Sequence, residues 1–333
     1  MSLEPFAPRR AAEGDLLAWC TVFGEGQGEV SGDRILAAAL AERLLAEEGS
    51  SVLRWAARGG DRGSIMGVAE LRPQPHDPRI GFLRLFVPRA DRRKGVASAL
   101  LARIAEDARL AGMDRIQGIV PGGGPGEAFV FGRGGVRELL RLHLQEQRID
   151  ERVLRRCGEL AACPDPAAYT LAHWRGSAPE PQAASFGDVM GHVSDAPGAA
   201  WQMAPRAWDR AAVRAWEAQM TAGGEKLMVC AAVHRATGQV VAATVTIVPA
   251  GDGSAARQHD TAVLPQHRGR GLARWIKAEQ TLRLRAAFSG VRAVTTTVNR
   301  QNLAMVAVNR AVGYRTVGER LLVEAPLAAG AEG

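Results

Sequence analysis

Residues 257–285 read RQHDTAVLPQHRGRGLARWIKAEQTLRLR, and this stretch decides the fold. It predicts an extended strand up to Pro265, then a basic glycine loop, then a helix. The apolar residues of that helix recur with the helical period, namely Leu272, Trp275, Ile276 and Leu282. Glycines before a helix let the backbone approach a ligand closely, and the first helical N–H groups lack partners within the helix. The stretch therefore predicts a phosphate site, to which Arg268 and Arg270 add charge.

The form of the loop separates it from two common nucleotide-binding loops. It reads Arg268-x-x-Gly271-x-Ala273. It lacks the Lys-Ser/Thr pair of the ATP-binding P-loop and the third glycine of the dinucleotide fingerprint. Neither of those classes of site is therefore predicted.

All three asparagines of the chain fall within one short segment, at Asn299, Asn302 and Asn309. The segment VTTTVNRQNLAMVAVNRAVGY (294–314) predicts a strand, a short helix and a Gly-Tyr ending. Asn302 could simply cap that helix. Asn309 lies two turns further along the same face, inside a helix, where asparagine is a poor helix former. In a chain so poor in asparagine, a functional polar cluster is favoured over three coincidental surface residues.

The order of strand, R-x-x-G-x-A loop, long helix, strand, Asn-bearing helix and Gly-Tyr resembles the GNAT acyltransferase superfamily. The match is good over residues 228–324, whereas 166–227 fit by length and order only. The resemblance implies an α/β (α+β) fold with a mixed, mostly antiparallel sheet flanked by helices. Two strands splay in a V to admit acyl-CoA, and the loop amides bind its pyrophosphate.

A second copy of the pattern lies in the first half. Residues 79–110 again predict a strand, a proline, a loop (Arg92-x-x-Gly95-x-Ala97) and a helix. The loops are 268 − 92 = 176 residues apart, and the closing glycines Gly135 and Gly313 are 178 apart. The spacing predicts two tandem GNAT-like domains, 1–160 and 166–333, joined by a linker at 150–166. This architecture resembles that of the mycothiol synthase family.

The two halves differ where chemistry is expected. Asn309 corresponds to Phe131, and the strand before the first loop has no carboxylate, whereas the second has His259 and Asp260. We therefore expect a non-catalytic first domain and a catalytic second one.

The resemblance also implies where CoA binds. In the second domain the candidate residues are Val263, Arg268, Gly269, Arg270, Gly271, Leu272, Ala273, Asn299, Asn302 and Asn309. Whether the first domain also binds CoA, through Arg92, Lys94, Gly95 and Ala97, is left open.

The chemistry implied by the resemblance is attack of a neutral amine on a thioester, with a base and an acid. The usual acid, a tyrosine, is replaced by Asn309, which cannot donate a proton as an acid. The usual base position holds Arg257, so His259 and Asp260 are the nearest replacements. Side chains alternate along a strand, and only one of the two is expected to face the site. The candidate catalytic residues are Asp260, His259 and Asn309.

The expected function is an acetyl-CoA-dependent N-acetyltransferase acting on the primary amine of a small molecule, in specialised metabolism or antibiotic self-protection. Acetyl-CoA is then a co-substrate, and no metal is expected. Two alternatives stay open: a catalytically silent CoA-binding module, and an acyltransferase acting on a protein or peptide amine. The acceptor is expected to bind around 175–205, a stretch rich in Pro, Ala, Gly and Ser. The stripe of Trp208, Trp216 and Met220 after it is interpreted as core rather than pocket.

Composition bounds the remaining possibilities. The net charge is +7, but the arginines are spread along the chain and no basic-aromatic module occurs, so nucleic acid is not an expected partner. No apolar run approaches the length of a bilayer span, and the N-terminus lacks a signal-peptide core. Four cysteines without metal-ligand spacing suggest reduced thiols and a cytoplasmic protein. A monomer or homodimer is expected.

Overall fold

The computed structural model describes residues 1–31, 35–47, 51–59, 63–75, 77–198, 207–250 and 254–327. The chain divides into two compact units. Unit 1 consists of Met1–Arg141 together with the C-terminal segment that begins at Arg320, and unit 2 is Leu142–Glu319. In the described parts of the chain, no helix is both long enough and apolar enough to cross a membrane.

Unit 1 is built around a sheet whose strand order is β1-β2-β3-β4-β5-β12. Its strands are β1 (Ser2–Pro5), β2 (Leu53–Gly59), β3 (Ser64–Gln74), β4 (Asp77–Phe86), β5 (Arg115–Pro121) and the second part of β12 (Arg315–Pro326). Its helices are α1 (Glu13–Ser31), α2 (Ala37–Ala46), α3 (Val96–Leu110) and α4 (Pro125–Phe131). All neighbouring strands are antiparallel except β4 and β5, which are parallel.

Unit 2 repeats this plan with the order β6-β11-β10-β9-β8-β7. Its strands are the second part of β6 (Arg137–Arg148), β7 (Tyr169–Arg175), β8 (Lys226–His234), β9 (Val240–Val248), β10 (Ala255–Val263) and β11 (Ala293–Asn299). Its helices are α5 (Glu151–Leu160), α6 (Glu180–Gly191), α7 (Arg210–Thr221), α8 (Leu272–Ala287) and α9 (Leu303–Ala311). Only the β10–β11 pair is parallel.

Helices cover both faces of the unit 2 sheet. Every residue of β9 is buried, as its run of Val, Ala, Thr and Ile leads one to expect of a strand covered on both sides. On one face Val245 packs with Phe186 of α6 and Trp216 of α7. On the other face Val241 packs with Trp275 of α8. The core therefore has two layers, separated by the sheet.

The parallel strand pair of each unit opens after a short contact. Strands β10 and β11 pair only from Ala255–Arg257 to Ala293–Thr295. Strands β4 and β5 pair only from Ile80–Phe82 to Arg115–Gln117. Beyond these three residue pairs, the two strands of each unit separate and pair with other strands. The separation leaves a V-shaped opening between them. The predicted fold class, two tandem GNAT-like domains with mixed, mostly antiparallel sheets, is confirmed.

The compact units have other bounds than the expected domains 1–160 and 166–333, which follow the repeat in the sequence. Residues 142–148 of β6 pair with β11 in unit 2, whereas 320–326 of β12 pair with β5 in unit 1. Each half of the sequence thus supplies the closing strand of the other unit. Such pairing depends on contacts far apart in sequence, which local patterns do not encode.

The segment 150–166, expected to be a linker that contains a helix, does contain one. It contains α5, whose N-terminus is capped by Asp150 through a 2.8 Å bond from the Val153 N–H. Val153 and Cys157 are buried, and the indole Nε1 of Trp275 donates to the Ala161 carbonyl at 2.9 Å. Helix α5 is therefore a packed element of unit 2.

Candidate active site

The predicted glycine loop connects β10 to α8. A short 3-10 turn at Pro265–His267 follows the strand, and Gly271 is the N-cap of α8. Gly269 and Gly271 have φ angles of 76° and 78°, in the left-handed region that favours glycine. A Cβ on Gly269 would meet nothing within 4 Å. The loop thus leaves open space in front of the helix N-terminus, where its first amides lack intrahelical partners.

The side chain of Arg268 shapes this loop. Its Nε donates to the Val263 carbonyl at 3.0 Å, and its Nη2 donates to the Asp195 carboxylate at 2.6 Å. The Arg268 hydrogen bond is the main cause that holds the pKa of Asp195 below its usual range. Arg270 is exposed beside the loop. Arg268 therefore fixes the backbone, and Arg270 supplies the outward positive charge.

Strand β10 contains a β-bulge at the candidate base. Gln258 pairs with Thr246 and Thr261 pairs with Thr244, so His259 and Asp260 together face the single residue Val245. The bulge breaks the alternation of side chains that the sequence predicted. The extra residue lets His259 and Asp260 lie next to each other, and which of the two faces a bound substrate stays a prediction.

His259 and Asp260 form a hydrogen-bonded pair. Nδ1 of His259 lies 2.6 Å from Oδ2 of Asp260, and its ring lies against Trp216 of α7 with the centroids 6.2 Å apart. Desolvation lowers the pKa of His259, but the hydrogen bond and charge of Asp260 outweigh it, so the pKa lies above its ordinary value. The arrangement is that of a base oriented and supported by a carboxylate.

Gln258 holds the bulge in place and was missed by the sequence analysis. Its buried Nε2 donates to the Val245 carbonyl at 2.7 Å, the Asp260 carbonyl at 3.1 Å and Thr244 Oγ1 at 3.0 Å. A lone glutamine in a strand gives no signal of such a role from its sequence neighbours.

Two of the three asparagines shape the turn between β11 and α9. Asn302 is the N-cap of α9, where its Oδ1 accepts the Met305 N–H at 3.1 Å. Asn299 donates to the Pro197 carbonyl at 2.8 Å and accepts the Gln301 N–H at 3.0 Å. Both polar ends of Asn299 and the Oδ1 of Asn302 thus fix the backbone.

Asn309 differs, because one end of its buried amide is free. Its side chain is 1 % exposed, and Nδ2 donates to Oε1 of Gln145 on β6 at 2.8 Å. Within the described residues, its Oδ1 has no hydrogen-bond partner. Buried polar atoms are normally paired, so this oxygen is a candidate to contact a bound ligand.

The expected acceptor segment, 175–205, is only partly a loop. Residues 180–191 form α6, and 199–205 lie outside the described residues. Phe186, Val189 and Met190 are buried with helical spacing, a signal that the Pro/Ala/Gly/Ser-rich composition obscured. Trp216 is 4 % exposed in the core, with Trp208 and Met220 packed against it, as the core interpretation predicted.

The loop of unit 1 repeats the second loop closely. Arg92 donates to the Val87 carbonyl at 3.0 Å and to Glu29 at 2.7 Å. Gly95 has φ 82° and is the N-cap of α3, with Ala97 in the first helical turn. Lys94 pairs with Asp91 at 2.9 Å.

The strand before this loop is different. Strand β4 pairs with β3 in unbroken register from Phe86 to Gly81. Its Arg84 donates to the buried Glu70 at 3.1 Å, within a cluster that includes Arg54 and Arg72. Burial acts to raise the pKa of Glu70, but these arginines lower it by more. A fixed ion-pair cluster thus stands where unit 2 has its bulge.

Comparison with known proteins agrees with this architecture. Residues 17–121 match the profile of the acetyltransferase (GNAT) family. A solved tandem GNAT protein from the clavulanic acid biosynthesis pathway superposes with a TM-score of 0.74, covering 99 % of both chains at 20 % identity. The chain has a tandem GNAT fold. The matched residues supply the first GNAT domain, although the sequence pattern was clearer in the second half.

Two further structures resemble this tandem GNAT chain. A GCN5-related N-acetyltransferase from Sphaerobacter thermophilus has a TM-score of 0.68 and 15 % identity, with 99 % of this chain and 96 % of that chain covered. A glucosamine N-acetyltransferase region of a fungal GH3 β-N-acetylglucosaminidase has a TM-score of 0.61 and 16 % identity, with 97 % and 38 % covered. No curated protein matches the sequence. At these identities the structural likeness establishes the fold alone, and the family match supports acyl transfer as the general chemistry.

Proposed function

We propose that unit 2 transfers an acetyl group from acetyl-CoA to the primary amine of a small molecule. The observation that carries this proposal is the bulge of β10, which puts the His259–Asp260 pair beside the V-shaped opening. An amine attacks a thioester only when neutral, and a base with a pKa near the working pH removes its proton most effectively. His259 is that base, and Asp260 orients its ring.

The same region fits the co-substrate. The loop with positive φ at Gly269 and Gly271 leaves the helix N-terminus accessible to a pyrophosphate. The unpaired Oδ1 of Asn309 is a buried acceptor for an amide N–H of the pantetheine arm. Bound acetyl-CoA supplies the activated acyl group, and this chain's residues position it and handle the protons.

Unit 1 is proposed to be non-catalytic. Its regular β4 has Leu83 and Arg84 at the positions of His259 and Asp260, and Arg84 is tied to Glu70. Phe131 stands where unit 2 has Asn309, and its side chain is partly exposed. The loop of unit 1 retains the geometry of a phosphate site without these groups.

The test is an amine panel incubated with the full chain and acetyl-CoA. Thiol release that depends on the amine, with a gain of one acetyl group on that amine by mass spectrometry, is the expected result. Calorimetric binding of CoA without turnover on any amine would favour the silent binding module. Turnover on a peptide N-terminus alone would favour a protein or peptide acceptor.

A further inference from the structure

Lys277 of α8 is buried, whereas Lys94 and Lys226, the other two lysines of the chain, are exposed. Its side chain is only 3 % exposed. Within the described residues, no carboxylate forms an ion pair with it, and burial lowers its pKa to about 7. An isolated buried ammonium is costly, so its presence on the core face of this helix calls for a reason.

The amine of Lys277 lies beside the part of β10 that no longer pairs with β11. Nζ lies 3.5 Å from Oγ1 of Thr261, which is four residues beyond Arg257, the last residue of β10 paired with β11. Nζ also lies 5.3 Å from the ring centroid of Tyr314, whose N–H donates to the Asn309 carbonyl at 3.0 Å. The amine therefore lies between the free arm of β10 and the end of α9.

The charged groups of the site flank β10 on opposite faces. His259 contacts Trp216 of α7 on one face. Thr261, whose hydroxyl is nearest to Lys277, shares a hydrogen-bond network with Thr244 at 2.8 Å and Gln258 at 3.3 Å on the α8 face. One face thus holds a proton acceptor and the other a proton donor.

We propose that Lys277 is a catalytic residue that protonates the departing thiolate, an inference that rests on the proposed acyl transfer in unit 2. The acceptor nitrogen bonds to the carbonyl carbon and loses its proton to His259. The C–S bond breaks, and its electron pair goes to sulfur. The ammonium of Lys277 gives sulfur a proton and becomes a neutral amine, which solvent reprotonates after the thiol leaves.

The neighbours of Lys277 support this role. Asn309 has no acidic proton to give, since its Nδ2 is an amide that already donates to Gln145. Three buried titratable groups pack near α8, namely Tyr314, Cys157 of α5 and Cys230 of β8. Burial raises the pKa of the Tyr314 phenol, and it raises the pKa of Cys157 to about 11 and of Cys230 to about 12. These three groups are therefore weaker acids than an ordinary thiol, which leaves the Lys277 ammonium as the stronger proton donor.

A first experiment needs no acceptor amine. CoA is bound to the wild type, to Lys277→Met and to the exposed control Lys226→Met, and the thiolate of bound CoA is titrated by its ultraviolet absorbance. Coupled titration with the Lys277 ammonium should lower the pH at which the thiolate of bound CoA first appears in the wild type and the control, but not in Lys277→Met. Equal values in all three proteins would overturn the role of Lys277. Failure of the wild type to bind CoA would instead overturn the proposed function, and the inference with it.

The second experiment is kinetic. Lys277→Met should lower kcat by about 100-fold with little change in KM for acetyl-CoA. The loss of kcat in Lys277→Met should be smaller with the selenol analogue of acetyl-CoA, because a selenolate leaves without needing a proton. A deficit of the same size with both donors would contradict the proposal. A stable acetyl group on Lys277 itself would also contradict it, because an amide cannot donate that proton.

The pH dependence of the stability of Lys277→Met distinguishes a catalytic role of Lys277 from a structural one. The unfolded chain holds the Lys277 proton up to pH 10.5, whereas the native state loses it at about 7. Native stability therefore rises with pH between these values relative to Lys277→Met, and that variant should be at least as stable as the wild type at pH 7. A Lys277→Met protein that unfolds more readily at pH 7 would make the lysine structural and overturn the assignment.

Discussion

The two glycine loops are nearly alike, whereas the strands that lead into them are not. Arg92 and Arg268 each bond a strand-end carbonyl at 3.0 Å and a carboxylate from a preceding helical segment. Strand β4 is regular, but β10 carries the His259–Asp260 bulge. The comparison teaches that the loop survives as a structural device, because its arginine ties strand to helix. A conserved loop shape is therefore weak evidence of activity.

Two further differences between the units lie at buried positions of unit 2. With the loop offset of 176 residues, Lys277 corresponds to position 277 − 176 = 101, which is Leu101. Asn309, with its unpaired Oδ1, corresponds to Phe131. Unit 2 thus accepts unfavourable buried groups that unit 1 has replaced with apolar ones. Proteins retain such destabilising buried residues mainly at functional sites.

The largest expected effect comes from cutting the chain at its apparent boundary. A fragment of residues 166–333 lacks β6 and α5, so seven pairing positions of β11 and one face of α8 are exposed. We expect it to be aggregated or to lack a cooperative thermal transition by circular dichroism. The matched fragment 142–319 should melt cooperatively. A stable 166–333 fragment would mean that the exchanged strand is dispensable.

Next in size are the paired loop variants Gly271→Val and Gly95→Val. Both glycines have φ near 80°, so the two substitutions should cost similar stability. Gly271→Val should weaken CoA binding by more than about tenfold, or about 1.4 kcal/mol, because a side chain then faces the phosphate site. Gly95→Val should leave kcat largely intact. Calorimetry and steady-state kinetics on both proteins make the comparison, and equal losses would indicate two working sites.

An effect of comparable size is expected from Asp260→Asn. It removes the group that raises the pKa of His259, so the rising limb of the pH–rate profile should move to lower pH. The rate should fall by about 10- to 100-fold as the ring loses its orientation. The exposed His173 provides a control, since His173→Gln should leave the profile unchanged. If the rising limb of the pH–rate profile lies at the same pH in Asp260→Asn as in the wild type, His259 is excluded as the base.

The smallest effect concerns the one position of the R-x-x-G-x-A loops at which only the second loop has a glycine. Arg93 has φ 66°, whereas the corresponding residue of the second loop is Gly269. Arg93→Gly should raise the free energy of unfolding by no more than about 1 kcal/mol, and Gly269→Ala should lower it by about 1 kcal/mol. Urea unfolding measures both. A destabilised Arg93→Gly would show that the Arg93 side chain contributes more than its strained backbone costs.

The sequence predicted the elements whose signals are local. The strand, loop and helix around Gly271 lie where they were expected. The capping role considered for Asn302 is also what the structure shows. Glycine spacing and helical periodicity act within a few residues, which is why they can be read from one sequence.

The features that escaped prediction depend on distant neighbours. The bulge at His259 becomes visible only in the register with β9, and the partner of Asn309 is Gln145, 164 residues away. Lys277 did carry a readable signal. It lies seven residues before the buried Leu284, on the same face of α8, in a chain with only three lysines.

The exchange of closing strands has a consequence for synthesis on the ribosome. Unit 2 has all its strands once residue 319 has emerged, because residues 142–148 precede the rest of its sheet. Unit 1 must wait for 320–326, so the open edge of β5 persists until these residues have emerged. The half that is translated first is therefore the last to finish folding. During that interval its exposed strand edge is the place where nascent chains are most prone to associate.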